Sequence, residues 1–206
     1  MAVTATITSK GQLTLPKAVR KILDTNTVEI EVIDDEVRLK PVRSVAGALG
    51  KYAGKKRCCM KYGKKSGRKW PMSKSADILP DTNVVLRYLL RDIPEQFEQA
   101  TDFFEQIRTG SKKMVFLESV LVECVYILTK FYNVPRKEAA QTLAGVMQYK
   151  GVVNRDKAAL SAALALYAES NLDPVDCVLL AKARHNAMQV FSFDKTVIKA
   201  AAKTAP

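Results

Sequence analysis

An α/β architecture is what this 206-residue sequence predicts, and three observations lead there. Through the second half, short apolar runs alternate with helix-period segments, the pattern of a parallel sheet with helices on both faces. The first 43 residues instead alternate apolar and polar positions in short runs, which marks a small β-rich module. Between them, residues 44–75 are dense in lysine and glycine and keep neither period, so they read as a basic disordered linker. The predicted organisation is therefore 1–43, 44–75 and 76–206.

In the first module Val3, Ala5 and Ile7 alternate with threonines, and Ser9-Lys10-Gly11-Gln12 supplies a turn. Leu13 and Leu15 resume the alternation, and Pro16 opens a short helix through Leu23. Val28, Ile30 and Val32 make one strand face, and Asp34-Asp35 turns the chain into Val37 and Leu39 as a hairpin. So few elements cannot close a core within about 45 residues, which predicts an intertwined dimer. In the second half, Ile78-Leu79 and 113–117 read as strands, and Val152-Val153 as a strand edge. Helices are expected over 84–90, 94–108, 119–132, from Pro135, 158–169 and 174–186, with 188–193 a buried strand. Ligands of such sheets bind at the carboxyl ends of the strands.

Composition excludes several classes. The hydrophobic share of 48% rules out a wholly disordered chain. No apolar run approaches the ~20 residues that span a bilayer, and no secretory signal opens the sequence. Cys58, Cys59, Cys124 and Cys177 follow no metal-ligand spacing and read as reduced thiols, in keeping with a cytoplasmic protein. The lone histidine, His185, excludes a His-rich metal site and lies beside no Ser or Cys motif. The net charge of +12 is not a global property: residues 51–74 hold ten Lys/Arg and no acid, and the remainder is nearly balanced.

Four carboxylates stand where packing alone would not put them. Asp81 follows a strand and begins Asp-Thr-Asn; Glu123 lies inside the apolar run 120–128. Asp176 sits in Pro-Val-Asp-Cys-Val-Leu-Leu, and Asp194 follows Val-Phe-Ser-Phe. A carboxylate in an apolar helix loses hydration worth several kcal/mol unless something satisfies it. A shared divalent cation satisfies several at once, and oxygen-only ligation selects a hard ion, Mg²⁺ or Mn²⁺. Each also has a structural reading: Asp81 and Asp176 as helix N-caps, Asp194 as a turn residue, Glu123 as the partner of an arginine. Glu118 and Asp173 are rivals to Glu123 and Asp176.

Taken together, Asp81-Thr82-Asn83-Val84-Val85-Leu86-Arg87, Val122-Glu123-Cys124-Val125, Asp176-Cys177-Val178-Leu179-Leu180-Ala181-Lys182 and Ser192-Phe193-Asp194-Lys195 resemble, in order, the four motifs of PIN-domain ribonucleases. The likeness is to the toxin branch of toxin–antitoxin pairs, of the VapC kind. It implies a PIN-like parallel sheet and a metal-dependent endoribonuclease in which Asp81, Glu123, Asp176 and Asp194 hold Mg²⁺ (or Mn²⁺). Asn83 and Ser192 are implied as supporting polar groups. Two points depart from the pattern: Ser192 stands where Thr is commoner, and Pro80 where a strand residue is usual.

Residues Ile7 to Arg20, Ile-Thr-Ser-Lys-Gly-Gln-Leu-Thr-Leu-Pro-Lys-Ala-Val-Arg, resemble swapped-hairpin transcription factors of the AbrB type, which include VapB-like antitoxins. That likeness implies a dimerisation module that binds operator DNA, with Lys10, Lys17, Arg20 and Lys21 as candidate phosphate contacts. A solvated helix face is the structural alternative for Lys17 and Lys21. Antitoxins of this type continue into an acidic or amphipathic segment, whereas here the following stretch is basic. Back-translation from the third base of the Met60 codon permits an acidic sequence in a shifted frame up to Met72, so 57–71 reads as out-of-frame translation ahead of a toxin start. The function expected is thus a ribonuclease toxin fused to its antitoxin-like module, with RNA as substrate and operator DNA as partner. The alternative is a DNA-binding autorepressor with a silent nuclease domain.

Overall fold

The computed structural model describes residues 4–25, 27–34, 36–54 and 77–202, and the chain divides into two compact units, Met1–Arg43 and Ser44–Pro206. In the first unit, the Gly11 N–H donates to the Thr8 carbonyl at 2.8 Å and Ile7 bridges Leu13 antiparallel, the turn that Ser9 to Gln12 predict. Helix α1, Lys17–Leu23, starts directly after Pro16, whose fixed φ suits the entry. Strand β1, Val28–Ile33, pairs antiparallel with β2, Glu36–Pro41, placing Ile30 opposite Leu39 and Val32 opposite Val37. Asp34 makes the bend at φ 49, a left-handed conformation that Asp tolerates better than most residues. Leu23 and Val42 are buried, yet Ile22, Ile30, Val32 and Val37 all face solvent.

The second unit is mostly helical: α2 (Thr82–Leu90), α3 (Pro94–Thr109), α4 (Glu118–Tyr126), α5 (Arg136–Met147), α6 (Lys157–Glu169), α7 (Pro174–His185) and α8 (Lys195–Ala202). The expected helix over 119–132 is α4 continued by a π-helical turn, Ile127–Phe131. The parallel strands are reduced to bridges: Ile78 and Val152 each pair with Met114 between them, in the predicted direction. Met114 and Phe116 are fully buried there, among Leu86, Leu89, Phe104, Ile107 and Leu121. Gly151 is needed at this crossing. A Cβ on it would come 2.7 Å from the Ile107 carbonyl oxygen and closer still to that of Lys112.

Two expectations need correction. The linker over 44–75 is not unstructured at its start, because residues 44–54 belong to the second unit and pack within it. Leu49 is fully buried, and Gly50–Tyr52 forms a 3₁₀ turn. Four apolar positions there, Val45, Ala46, Leu49 and Tyr52, recur at near-helical spacing amid glycines that hid the pattern. Residues 55–76, including Cys58, Cys59 and the proposed out-of-frame stretch, lie outside the described residues. Nor is 188–193 a buried strand: it pairs with no strand among the described residues, and Met188, Phe191 and Phe193 are exposed. The Met188 N–H instead closes the end of α7 on the Ala183 carbonyl at 2.8 Å, with Ala187 at φ 52. That is a Schellman-type stop, and it consumes the residue that would have begun a ladder.

Candidate active site

Each predicted carboxylate is placed by a helix. Asp81 is the N-cap of α2, and its Oδ1 accepts the Val84 N–H at 2.9 Å. Its structural reading is therefore realised, though capping occupies one carboxylate oxygen and the residue is exposed. Asp194 opens α8 in the same manner, accepting the Thr196 N–H at 2.6 Å. These backbone donors, Thr196 first, hold its carboxyl below the usual carboxylate range. Ser192 Oγ in turn accepts the Asp194 N–H at 3.0 Å, so this supporting residue orients the Asp194 backbone. Asn83 lies half-buried in the first turn of α2.

Glu123 projects from the middle of α4, and its Oε2 accepts a 2.5 Å hydrogen bond from the hydroxyl of Thr82. Thr82 is buried at 6% exposure, and sequence reasoning had assigned it no role. Its signal was present in Asp-Thr-Asn: the residue after an N-cap, one helix away from a carboxylate, is placed to tie α2 to α4. Glu123 thus pairs with a hydroxyl and not with the arginine of its structural alternative. Asp176, in the first turn of α7, has its carboxyl raised by burial first, then by the charges of Asp173 and Asp194. The N-cap position of α7 belongs to Asp173.

The four carboxylates lie on, or at the start of, neighbouring helices. Thr82, next to Asp81, bonds Glu123, and the thiol of the buried Cys124 is pushed up by burial and then by the charges of Glu123 and Asp81. Asp176 feels the charges of Asp173 and Asp194. Helix α4 packs against α2 and α7, and α7 against α8. Among the described residues no three carboxylate, imidazole or thiol groups lie close enough to hold an ion as the side chains stand. The donor set nonetheless suits a hard cation: every candidate is a carboxylate, and the Asp173–Asp176–Asp194 group repels itself in a way that a cation relieves. Glu118, the rival to Glu123, is engaged elsewhere. Lys182 of α7 pairs with it and, at 3.2 Å, with Asp156, joining α4, α7 and the start of α6 beside the site.

Among known families, the PIN domain matches residues 78–203, more than half of the chain. The chain belongs to the PIN-domain family. Members of this family are nucleases and are generally metal-dependent, and all four candidate carboxylates fall inside the matched span of this PIN domain. A second family, antidote-toxin recognition MazE, a bacterial antitoxin, matches residues 4–46 ahead of the PIN domain. The order antitoxin-like module, then PIN domain, makes the chain similar to a toxin–antitoxin nuclease fusion. No curated protein and no solved structure matches the chain closely enough to add to these two.

Ahead of the PIN domain, Lys17, Arg20 and Lys21 are exposed on α1 and Lys10 is exposed in the preceding turn. Arg20 and Lys21 occupy the last turn of α1, where a cation also offsets the helix dipole. No helix among the described residues is long and apolar enough to cross a membrane.

Proposed function

We propose that the PIN unit is an endoribonuclease toxin and that Asp81, Glu123, Asp176 and Asp194 together hold Mg²⁺ or Mn²⁺. The observation that supports this reading is the placement of those carboxylates on or at the start of helices that pack together, with Thr82 bonding Glu123 next to Asp81 and three of the four exposed. When bound, such an ion supplies a water nucleophile near neutral pH and neutralises charge on the scissile phosphate. The chain's own residues do the positioning. Thr82 holds Glu123 toward Asp81, and Ser192 sets the backbone from which Asp194 projects. Lys182 clamps the start of α4 to α7, so that the two carboxylate-bearing helices keep their spacing. Asp81 and Asp194 each commit one interaction to a helix end, and that fixes the carboxylate orientation before any ligand arrives.

The N-terminal unit is proposed to bind operator DNA as a dimer. A two-stranded hairpin is marginal by itself, and Ile22, Ile30, Val32 and Val37 are apolar side chains left uncovered in one copy. A second copy covers them, and Lys10, Lys17, Arg20 and Lys21 then contact phosphates. The domain division follows as antitoxin-like module over 1–43 and nuclease from 76, in a cytoplasmic chain. The test is RNA cleavage by the full chain with Mg²⁺, Mn²⁺ or EDTA, alongside operator binding. Metal-dependent cleavage lost in Glu123→Gln, with DNA binding kept, supports the reading; no cleavage of varied RNAs by the folded chain leaves the autorepressor.

A further inference from the structure

Asp81 and Asp194 each accept a backbone N–H, and Glu123 accepts the Thr82 hydroxyl, so three of the four carboxylates are held by a hydrogen bond of their own. Asp176 accepts none among the described residues, and Asp173, the N-cap of its helix α7, makes no side-chain cap. Where Asp176 stands is therefore set by the backbone that leads into α7. That backbone is short, because only residues 170–173 separate the end of α6 from Pro174.

A side chain from α5 fastens it. Nη2 of Arg136 donates to the carbonyls of Leu172 at 2.6 Å, Ser170 at 2.9 Å and Tyr167 at 3.2 Å. The guanidinium also lies 3.7 Å over the Tyr167 ring, in cation–π contact. The Tyr167 carbonyl belongs to the last turn of α6, where carbonyls lack intrahelical partners and a cation is favoured. Arg136 itself opens α5, the end of a helix where the dipole disfavours a cation, so its charge serves α6 and the turn, not α5. Its Nε is buried without a partner among the described residues. The guanidinium is thus oriented for the turn at a cost to its own hydrogen bonding.

We propose that Arg136 is a positioning residue for Asp176: by fastening residues 170–172 it places the first turn of α7 so that Asp176 meets the ion held with Asp81, Glu123 and Asp194. This rests on the ion-holding role given above to those carboxylates. The contribution passes through the backbone from Leu172 to Asp176 and requires no contact of Arg136 with ion or RNA. Removing a group that orients a metal ligand costs about 10–100-fold in metal affinity.

Mn²⁺ binding to the full chain, followed by the electron paramagnetic resonance signal of the free ion, tests this without RNA. Arg136→Met is expected to bind about tenfold or more weaker than the wild type. Tyr149→Phe, which removes a buried hydroxyl bonded to Tyr88, controls for lost stability and is expected to bind as the wild type does. Wild-type affinity in Arg136→Met, or an equal loss in both variants, would overturn the proposal and leave the ion site standing. With Asp176→Asn already in place, Arg136→Met is expected to weaken binding no further. An undiminished further loss would overturn the route through Asp176. A wild type that binds no Mn²⁺ would overturn the ion site itself, and the proposal with it. Should Arg136→Met fail to fold, Arg136→Lys keeps the charge but lacks the planar fork and ends about one bond short. A severalfold loss is expected there, and wild-type affinity would overturn the proposal.

Discussion

Tyr88 of α2 and Tyr149, just beyond α5, share a buried 2.6 Å hydrogen bond, and each is also engaged from outside the PIN match, by Ser44 and Val45. Tyr88 stacks on Phe104 with ring centroids 4.3 Å apart, so the hydroxyl pair is fixed from beneath. Burial raises both phenols above their ordinary value, which keeps them neutral hydrogen-bonding groups throughout the physiological range. Tyr149→Phe removes the acceptor of the Val45 N–H and one partner of Tyr88. Its expected cost is about 1–3 kcal/mol by denaturant titration. A loss within a few tenths would show that the packing of residues 44–54 does not depend on this pair.

At Gly145 of α5, where a Cβ would come 2.9 Å from Val45 Cγ1 and so fill a notch, two effects oppose each other. Gly145→Ala gains about 1 kcal/mol of helix propensity. It also drives a Cβ into Val45, and overpacking of that kind costs about 1–3 kcal/mol. Net destabilisation is expected in the wild type, and net stabilisation once Val45→Ala has emptied the notch. A double-mutant cycle should therefore return a coupling of about 0.5–3 kcal/mol. Additive behaviour would mean that Val45 is not in contact with α5.

Glu138, which accepts the Tyr52 hydroxyl at 2.6 Å and pairs with Lys51 at 2.9 Å, gives the packing of residues 44–54 a pH dependence. The Tyr52 hydroxyl first, then Lys51, hold its carboxyl below the ordinary value of 4.5. A carboxylate depressed in the folded state contributes its stabilisation in full above that ordinary value and loses it as pH falls through the folded one. The wild type should melt above Glu138→Gln at pH 7, and that margin should close as the pH falls below about 4.5 toward 3. A margin that is absent at neutral pH, or that stays constant down to pH 3, would contradict the assignment.

Asp81 has two roles that substitution can separate. Asparagine caps helices about as well as aspartate, whereas alanine costs about 1 kcal/mol at such a position. Asp81→Asn is expected to melt with the wild type and Asp81→Ala below it, while neither cleaves RNA. Cleavage retained in Asp81→Asn would remove Asp81 from the ion-holding set and leave it as a cap alone.

Ala187 sits at φ 52 after α7 and is exposed. The left-handed conformation costs an L residue about 1–2 kcal/mol, which glycine avoids at some loss of chain entropy. Ala187→Gly is expected to stabilise the fold by about 0.5–1 kcal/mol, raising the melting temperature by a few degrees. An unchanged or lowered melting temperature would mean that the stop of α7 is not strained.

Much of the fold was legible because its signals are local. Pro94 and Pro174 open α3 and α7 as expected, and apolar spacing gave α2, α4 and α6 their places to within a few residues. The carboxylates stood out because charge inside apolar runs needs a reason. What escaped was long-range. Thr82 matters only because α4 brings Glu123 to it, and Leu49 only because α2 ends beside it. Phe191 and Phe193 misled for the opposite reason. Their alternation is that of a strand, but alternation describes faces and does not guarantee a neighbour to pair with.

The hydrogen bond from Val45 to Tyr149 joins residues 104 positions apart. Loop closure over such a span is slow relative to local helix formation, and it rewards the chain only after the intervening helices exist. On a ribosome, where domains emerge from the N-terminal end, residues 44–54 leave the exit long before Tyr149 does. The N-terminal module is thus free to fold while the PIN domain is still incomplete. The order of translation delays the hydrolytic half until its companion is already made.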